Sequence, residues 1–293
     1  MNLIPEVEVH RPRSLEEALR YVKELPDSKP IAGGTDLIID LREGACEARN
    51  LVDLTPVKEL DYIRESGGRI HIGAMTHHSD LVTSDVIKSK APVLSEAAHL
   101  VGSVQIRNLG TVGGNICNAS PGADTATPLL VLGAEATISS AEGTRTIPLS
   151  EFFTGPKRTS LNPGELLTEL NFPTPPAGSG GAFYKLGRRK GCTLSLINIA
   201  AYVELDGDTC SEARVAVGAC APTPVRIKDV EEMLKGKKID DAVIAEASSA
   251  CYGLVQPSQR AHSRASEEYR RDMSCVLMRR ALTTALERAR RNK

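Results

Sequence analysis

Apolar positions along the first part of the chain switch repeatedly between two spacings. Residues 7–10 form a short extended run. Leu15, Ala18, Leu19, Val22 and Leu25 then recur every three or four residues behind Ser14-Leu15-Glu16-Glu17, a capping-box pattern, and predict one amphipathic helix. Residues 29–32 read as a short buried strand, Gly33-Gly34-Thr35 as a turn, 36–42 as a helix with Leu37, Ile38 and Leu41 inward, and 50–54 as a further strand. This βαβ-like unit is too short to be a complete doubly wound dinucleotide-binding domain.

The texture changes near Thr55-Pro56. Residues 69–74 alternate as a strand, 79–89 and 92–101 carry helical spacing, and 135–140 with 145–149 flank Ala141-Glu142-Gly143 as a hairpin. Residues 102–128 are rich in Gly, Asn, Ser, Thr and Pro yet almost free of Lys and Glu. A loop of that length in a compact domain is functional or disordered, and low charge argues against disorder, so the stretch is expected to be ordered around something. Pro173 through Gly181 reads as a linker. Beyond it, 195–205 and 211–219 are two strands joined by Asp206-Gly207-Asp208, and helices are expected at 227–234, 240–252 and 272–291. The expected class is α+β, divided into residues 1–55, 56–175 and 176–293.

Charge and composition remove several functions. In 293 residues, 36 Lys+Arg stand against 37 Asp+Glu, so no global field draws the chain to nucleic acid or anionic lipid. Aromatics are 3%, with no Trp, too few for a base-stacking surface. No apolar run is long enough to cross a bilayer, and the N-terminus has acids and a proline where a signal peptide needs an apolar core; a soluble, cytoplasmic protein is expected. The closest of the seven cysteines, Cys210 and Cys220, are ten residues apart, which excludes zinc-ribbon and ferredoxin spacings. Adjacent His77 and His78 diverge on any regular element and make a poor chelate.

Two double-glycine turns carry the chemistry: Ala32-Gly33-Gly34-Thr35-Asp36 and Thr111-Val112-Gly113-Gly114-Asn115. Without a Cβ, paired glycines can take positive φ and bring consecutive main-chain N–H groups close to a guest. Such clusters form anion nests, and a helix beginning at Asp36 adds its positive end. Thr35, Thr111 and Asn115 supply further donors. Two such loops suit a pyrophosphate gripped from both sides. The plainer reading is two ordinary turns, since neither matches G-x-G-x-x-G and neither has the lysine of a Walker-type loop. Asp124, the lone carboxylate between Ile116 and Thr125, either accepts bonds from ribityl or ring N–H groups of a cofactor or caps the next helix; the residues alone leave both open.

AGGTDL at 32–37 and TVGGNICNASPGAD at 111–124 resemble the two FAD-pyrophosphate loops of the flavin-binding (medium) subunit of the molybdenum hydroxylases, the family of xanthine dehydrogenase and aerobic carbon monoxide dehydrogenase. Similar segments run through the whole chain. Gly164 to Leu170 resembles the family's strand before the linker, Phe183 to Arg189 the start of its C-terminal domain, and Ser266 to Arg271 with Arg279 to Leu282 its terminal helix. The resemblance implies an FAD-binding fold of the vanillyl-alcohol-oxidase (PCMH) type, with a C-terminal α+β domain of antiparallel sheet plus helices. It implies that Ile31, Ala32, Gly33, Gly34, Thr35 and Asp36 hold the pyrophosphate together with Thr111, Val112, Gly113, Gly114 and Asn115. Asp124 and Lys185 would meet the flavin side, and Leu166 or Leu167 the adenine or ring environment. Val101 stands where a eukaryotic relative has a flavin-contacting aromatic.

The activity implied by the resemblance is electron relay. Substrate is hydroxylated at a molybdenum cofactor on a large subunit, and electrons pass through 2Fe-2S clusters on a small subunit to FAD in this chain. From there they reach NAD+, a quinone or another acceptor, in a dimer of heterotrimers. The chain agrees by holding no cluster-forming cysteine pattern, no catalytic triad and no paired carboxylates of its own. It also lacks the four-cysteine insertion of the 4-hydroxybenzoyl-CoA reductases. The six basic residues between Arg279 and Lys293 fit either a partner surface or a solvated helix end. The rival readings are a stand-alone flavin reductase or oxidase of the same fold, and a non-enzymatic assembly protein.

Overall fold

In the computed structural model, which describes residues 5–257 and 265–293, three main sheets follow one another along the chain. The first is parallel, with Asn50–Asp53 between Glu8–His10 and Ser28–Ile31. Helices Leu15–Glu24 and Leu37–Glu43 supply the crossovers that parallel pairing requires. Ser14 Oγ accepts from the Glu17 N–H at 3.2 Å, but the Glu17 carboxylate returns to the Arg13 N–H at 2.8 Å, so the predicted box closes one residue early.

The second sheet is antiparallel, in the order Ile63–Ser66, Arg69–Gly73, Leu166–Pro173, Glu135–Ser140, Gly143–Pro148. Ile70, Ile72, Ile138, Leu170 and Phe172 bury one face of it against Leu94, Val112 and Leu129 from the helical layer. That layer differs from expectation in two places. The single helix expected at 79–89 is two, His78–Thr83 and Asp85–Lys90, because Ser84 stops the first and its Oγ caps the Ile87 N–H of the second at 3.4 Å. The stretch 102–128 is not a loop but holds Val104–Leu109, Val112–Cys117 and the start of Ala126–Val131. Ser103 and Thr111 start the first two of these by accepting from the Ile106 and Gly114 N–H groups. Such caps, with burial, offset the poor helix propensity of the glycines.

The third sheet runs Ser179–Gly187, Ser195–Asp206, Thr209–Gly218, Val225–Arg226, all antiparallel. Both of its faces are covered. Ala200 and Tyr202 enter the core of the second sheet, while Ile199, Ala201 and Val203 face the other way, toward helices Asp241–Leu254 and Glu267–Arg291. That period of two, buried on both sides, explains the unbroken apolar run at 199–203. The first strand begins inside the predicted linker: a Cβ on Gly180 would stand 2.2 Å from the Ala285 carbonyl oxygen, so the terminal helix rests on bare backbone there. Among the described residues no helix is long and apolar enough to cross a membrane.

Candidate functional site: a cleft at the two glycine loops

Only the first glycine pair is a turn: Gly113 and Gly114 lie in the first turn of helix Val112–Cys117, and of the four glycines only Gly34 takes positive φ. The two segments lie side by side. A Cβ on Gly33 would fall 1.9 Å from the Leu109 carbonyl oxygen, one on Gly110 would lie 3.6 Å from Thr35 Oγ1, and one on Gly114 3.8 Å from Ala32 Cβ. The glycines serve different purposes. Gly33 allows the first loop to touch the backbone before the second, and Gly113 allows contact with Ala74, whose oxygen would be 2.5 Å from a Cβ. Gly34 has φ +67°, a left-handed conformation. Gly114 alone is exposed, with room beside Ala32 that a side chain would fill.

The loops also differ in what their amides do. The N–H groups of Gly33, Gly34, Thr35 and Asp36 donate to no acceptor among the described residues. In the second loop Val112 donates to Thr76, Gly113 to Ala74, Asn115 to the Thr111 carbonyl and Gly114 to Thr111 Oγ1. The first loop is therefore a cluster of unspent donors ahead of a helix, the arrangement that suits phosphate oxygens. The second offers side chains and a bare surface. Asn115 Oδ1 accepts from Thr125 Oγ1 at 2.7 Å, which leaves its Nδ2 hydrogens to donate elsewhere, and the Thr111 hydroxyl still has its own proton. This donor set and the bare Gly114 face fit a pyrophosphate.

Asp124 does not cap the following helix, whose N-cap is Thr125. Its Oδ2 lies 2.5 Å from Lys185 Nζ, and its Oδ1 accepts from Ser195 Oγ at 2.6 Å and Asn198 Nδ2 at 3.2 Å. The two charged side chains are 10% and 3% exposed, and Lys185 also donates to the Leu100 carbonyl at 3.0 Å, one residue before buried Val101. Burial raises the Asp124 carboxyl above its ordinary range even though Lys185, Ser195 and Asn198 pull it down. Asn198, fully buried, further bonds the Gly122 carbonyl and Thr127 Oγ1, so the third sheet is latched onto the segment after the second loop. Sequence reasoning missed Ser195 and Asn198. The polar Asn198 within an otherwise apolar buried strand was the available signal. Leu166 and Leu167 are both buried on opposite sides of their strand, Leu166 in the cluster that Ala32 borders and Leu167 in the core of the second sheet.

Left-handed backbone gathers at the same place. Of the five described non-glycine residues with positive φ, Ala119 lies within the segment, and Lys157, Cys192 and Ala219 donate their N–H groups to the carbonyls of Ala119, Gly102 and Pro121. Strain of this kind concentrates at functional sites. Cys117, at the same turn, is held as a thiol by burial, which pushes it up to about 12.

Comparison with known proteins places the whole chain in one family. Residues 5–175 match the family described as the FAD binding domain in molybdopterin dehydrogenase, and 182–285 match the CO dehydrogenase flavoprotein C-terminal domain. The carbon monoxide dehydrogenase medium chain of Afipia carboxidovorans is 34% identical over 281 residues, covering 96% of each chain. The glyceraldehyde dehydrogenase medium chain of Sulfolobus acidocaldarius is 33% identical over 277 residues, 94% of this chain and 97% of that one. Among solved structures, carbon monoxide dehydrogenase from Hydrogenophaga pseudoflava matches with a TM-score of 0.93 at 32% identity, over 98% of this chain and 99% of that one. By domain content, order and near full-length similarity, the chain belongs to the FAD-binding medium subunits of the molybdenum hydroxylase family, flavoprotein components of oxidoreductases.

Proposed function

We propose that the chain passes electrons from 2Fe-2S clusters on a small partner subunit through FAD to an acceptor such as NAD+ or a quinone, with a molybdenum cofactor on a large partner subunit as the site of substrate oxidation. The observation that carries the reading is the run of four unspent amides at Gly33 to Asp36, in a loop whose Ala32 Cβ would lie 3.8 Å from a Cβ on exposed Gly114. In this reading Ile31 to Asp36 and Thr111 to Asn115 hold the pyrophosphate. The amides and the start of helix Leu37–Glu43 stabilise its negative charge, and Asn115 and Thr111 orient it from the other side. Asp124, Lys185 and Val101 border the flavin, with the ion pair holding the covering sheet in place; Leu166 and Leu167 back the cleft from within the cores. Bound flavin supplies the exchange between one- and two-electron transfer, and the protein sets its position and surroundings.

The similarity to medium chains of several dehydrogenases supports partner subunits, which we propose assemble with this chain as a dimer of heterotrimers in the cytoplasm. Purification of the chain from its native cells tests the reading. Companion subunits containing molybdenum and iron, flavin released on denaturation, and flavin reduction on adding substrate are expected. A colourless chain that purifies alone would refute it.

A further inference from the structure

Helix Leu37–Glu43, which follows the first glycine loop, and helix Val112–Cys117, which carries Gly113 and Gly114, are tied together from outside by one side chain. Lys157 Nζ donates to Asn118 Oδ1, at the C-cap of the second helix, at 2.6 Å and lies 3.4 Å from Asp40 Oδ2 in the first. Its main-chain N–H donates to the Ala119 carbonyl at 2.9 Å. Lys157 sits in the turn between Phe153–Gly155 and Arg158–Thr159, directly after Pro156, with φ +60°. Proline followed by positive φ is the type II pattern, whose third position suits Gly or Asn. A lysine there strains backbone that glycine would relax. Its side chain is 51% exposed, so it is not retained to fill a core. A local rule broken without gain in packing points to a role for the ammonium.

We infer that Lys157 is a positioning residue of the cofactor site, its ammonium fixing how the helix after the first loop and the helix that carries the second glycine pair are turned toward each other. The inference rests on the FAD reading above. If the tie is lost, the free amides of the first loop and the bare face of Gly114 no longer converge on one pyrophosphate. The fold itself remains, since the cores and the contact of Gly33 with Leu109 do not involve Lys157.

The test uses the full chain stripped of flavin, as parent, Lys157→Gly, Lys157→Met and Lys157→Arg, with the apo Tm read by calorimetry and the FAD Kd by titration calorimetry. Lys157→Gly is expected to keep or raise the apo Tm while weakening FAD about five- to tenfold, the range for a charge-assisted bond at a half-exposed site. Lys157→Met should lose the same affinity without the gain in Tm, and Lys157→Arg should recover most of it. A Kd for Lys157→Gly within about twofold of the parent, or a loss matched by a fall in apo Tm, would overturn the inference. A parent that takes up no FAD overturns the proposed function with it, whereas a binding parent beside an unchanged Lys157→Gly overturns this inference alone.

Discussion

Gly114→Ala separates a glycine kept for a ligand from one kept for the fold. Gly114 lies inside helix Val112–Cys117, where alanine is favoured over glycine by roughly 1 kcal/mol. Against that gain stands one close neighbour: the new Cβ would sit 3.0 Å from Thr111 Oγ1, with Ala32 Cβ next at 3.8 Å. The hydroxyl can withdraw by the few tenths of an ångström needed, at a cost of about 0.5 kcal/mol. The apo protein should therefore be unchanged or stabilised by up to about 1 kcal/mol, a rise of roughly 0–4 °C in Tm. The same methyl projects into the face proposed for the pyrophosphate. Overpacking costs about 1–3 kcal/mol, and at 1.4 kcal/mol per tenfold the FAD Kd should rise roughly five- to 150-fold. Calorimetric unfolding of the apo chain and FAD titration measure the two quantities on one preparation. Parental affinity in a variant that is as stable as the parent, or more so, would show that no ligand approaches Gly114.

Gly33→Ala should behave in the opposite way, because its Cβ meets the Leu109 carbonyl at 1.9 Å and neither backbone can retreat; urea unfolding should show a loss of about 2–4 kcal/mol before any cofactor is added, and a neutral result would contradict the loop contact. Lys185→Met leaves Asp124 buried and unpaired, an expected cost of about 3–5 kcal/mol that Lys185→Met with Asp124→Leu should largely recover; equal losses in both would mean the ion pair matters for something other than charge balance. His78 is depressed from 6.5 to about 4 by burial first and then by His77 and Arg107. A depressed folded pKa means that stability is whole above about pH 6.5 and is lost as the unfolded chain takes up its proton down to pH 4, up to about 3 kcal/mol in all. Unfolding free energy measured across that window should slope in the parent and flatten in His78→Gln; identical slopes would refute the assignment.

The alternating strands, the apolar helical stripes and the first glycine turn were legible because each rests on local patterning; the second glycine pair read as a turn but begins helix Val112–Cys117. Residues 195–205 and 211–219 paired as expected around Gly207, whose φ of +58° is what the Asp-Gly-Asp turn requires. The three short helices after Gly102 were hidden, since glycine-rich composition masks helices that depend on caps and burial. Strand Ser179–Gly187 was hidden for a related reason: its glycines read as linker, but they mark backbone against which the terminal helix packs. Asp124 was open between two roles; the structure removes the cap, which Thr125 holds, and pairs the carboxylate with Lys185, 61 residues away.

The order of residues alone determined most of the strands and amphipathic helices, the first glycine turn, the absence of any cluster-binding cysteine spacing and the family resemblance, all properties of short segments or of composition. Tertiary structure decided which glycine does what. The atoms pressed against a glycine and the space left beside it depend on residues distant in the chain, and Gly33, Gly34, Gly113 and Gly114 differ on both counts. It also decided which amides remain free, because a donor is spent or unspent only once every other acceptor has its place.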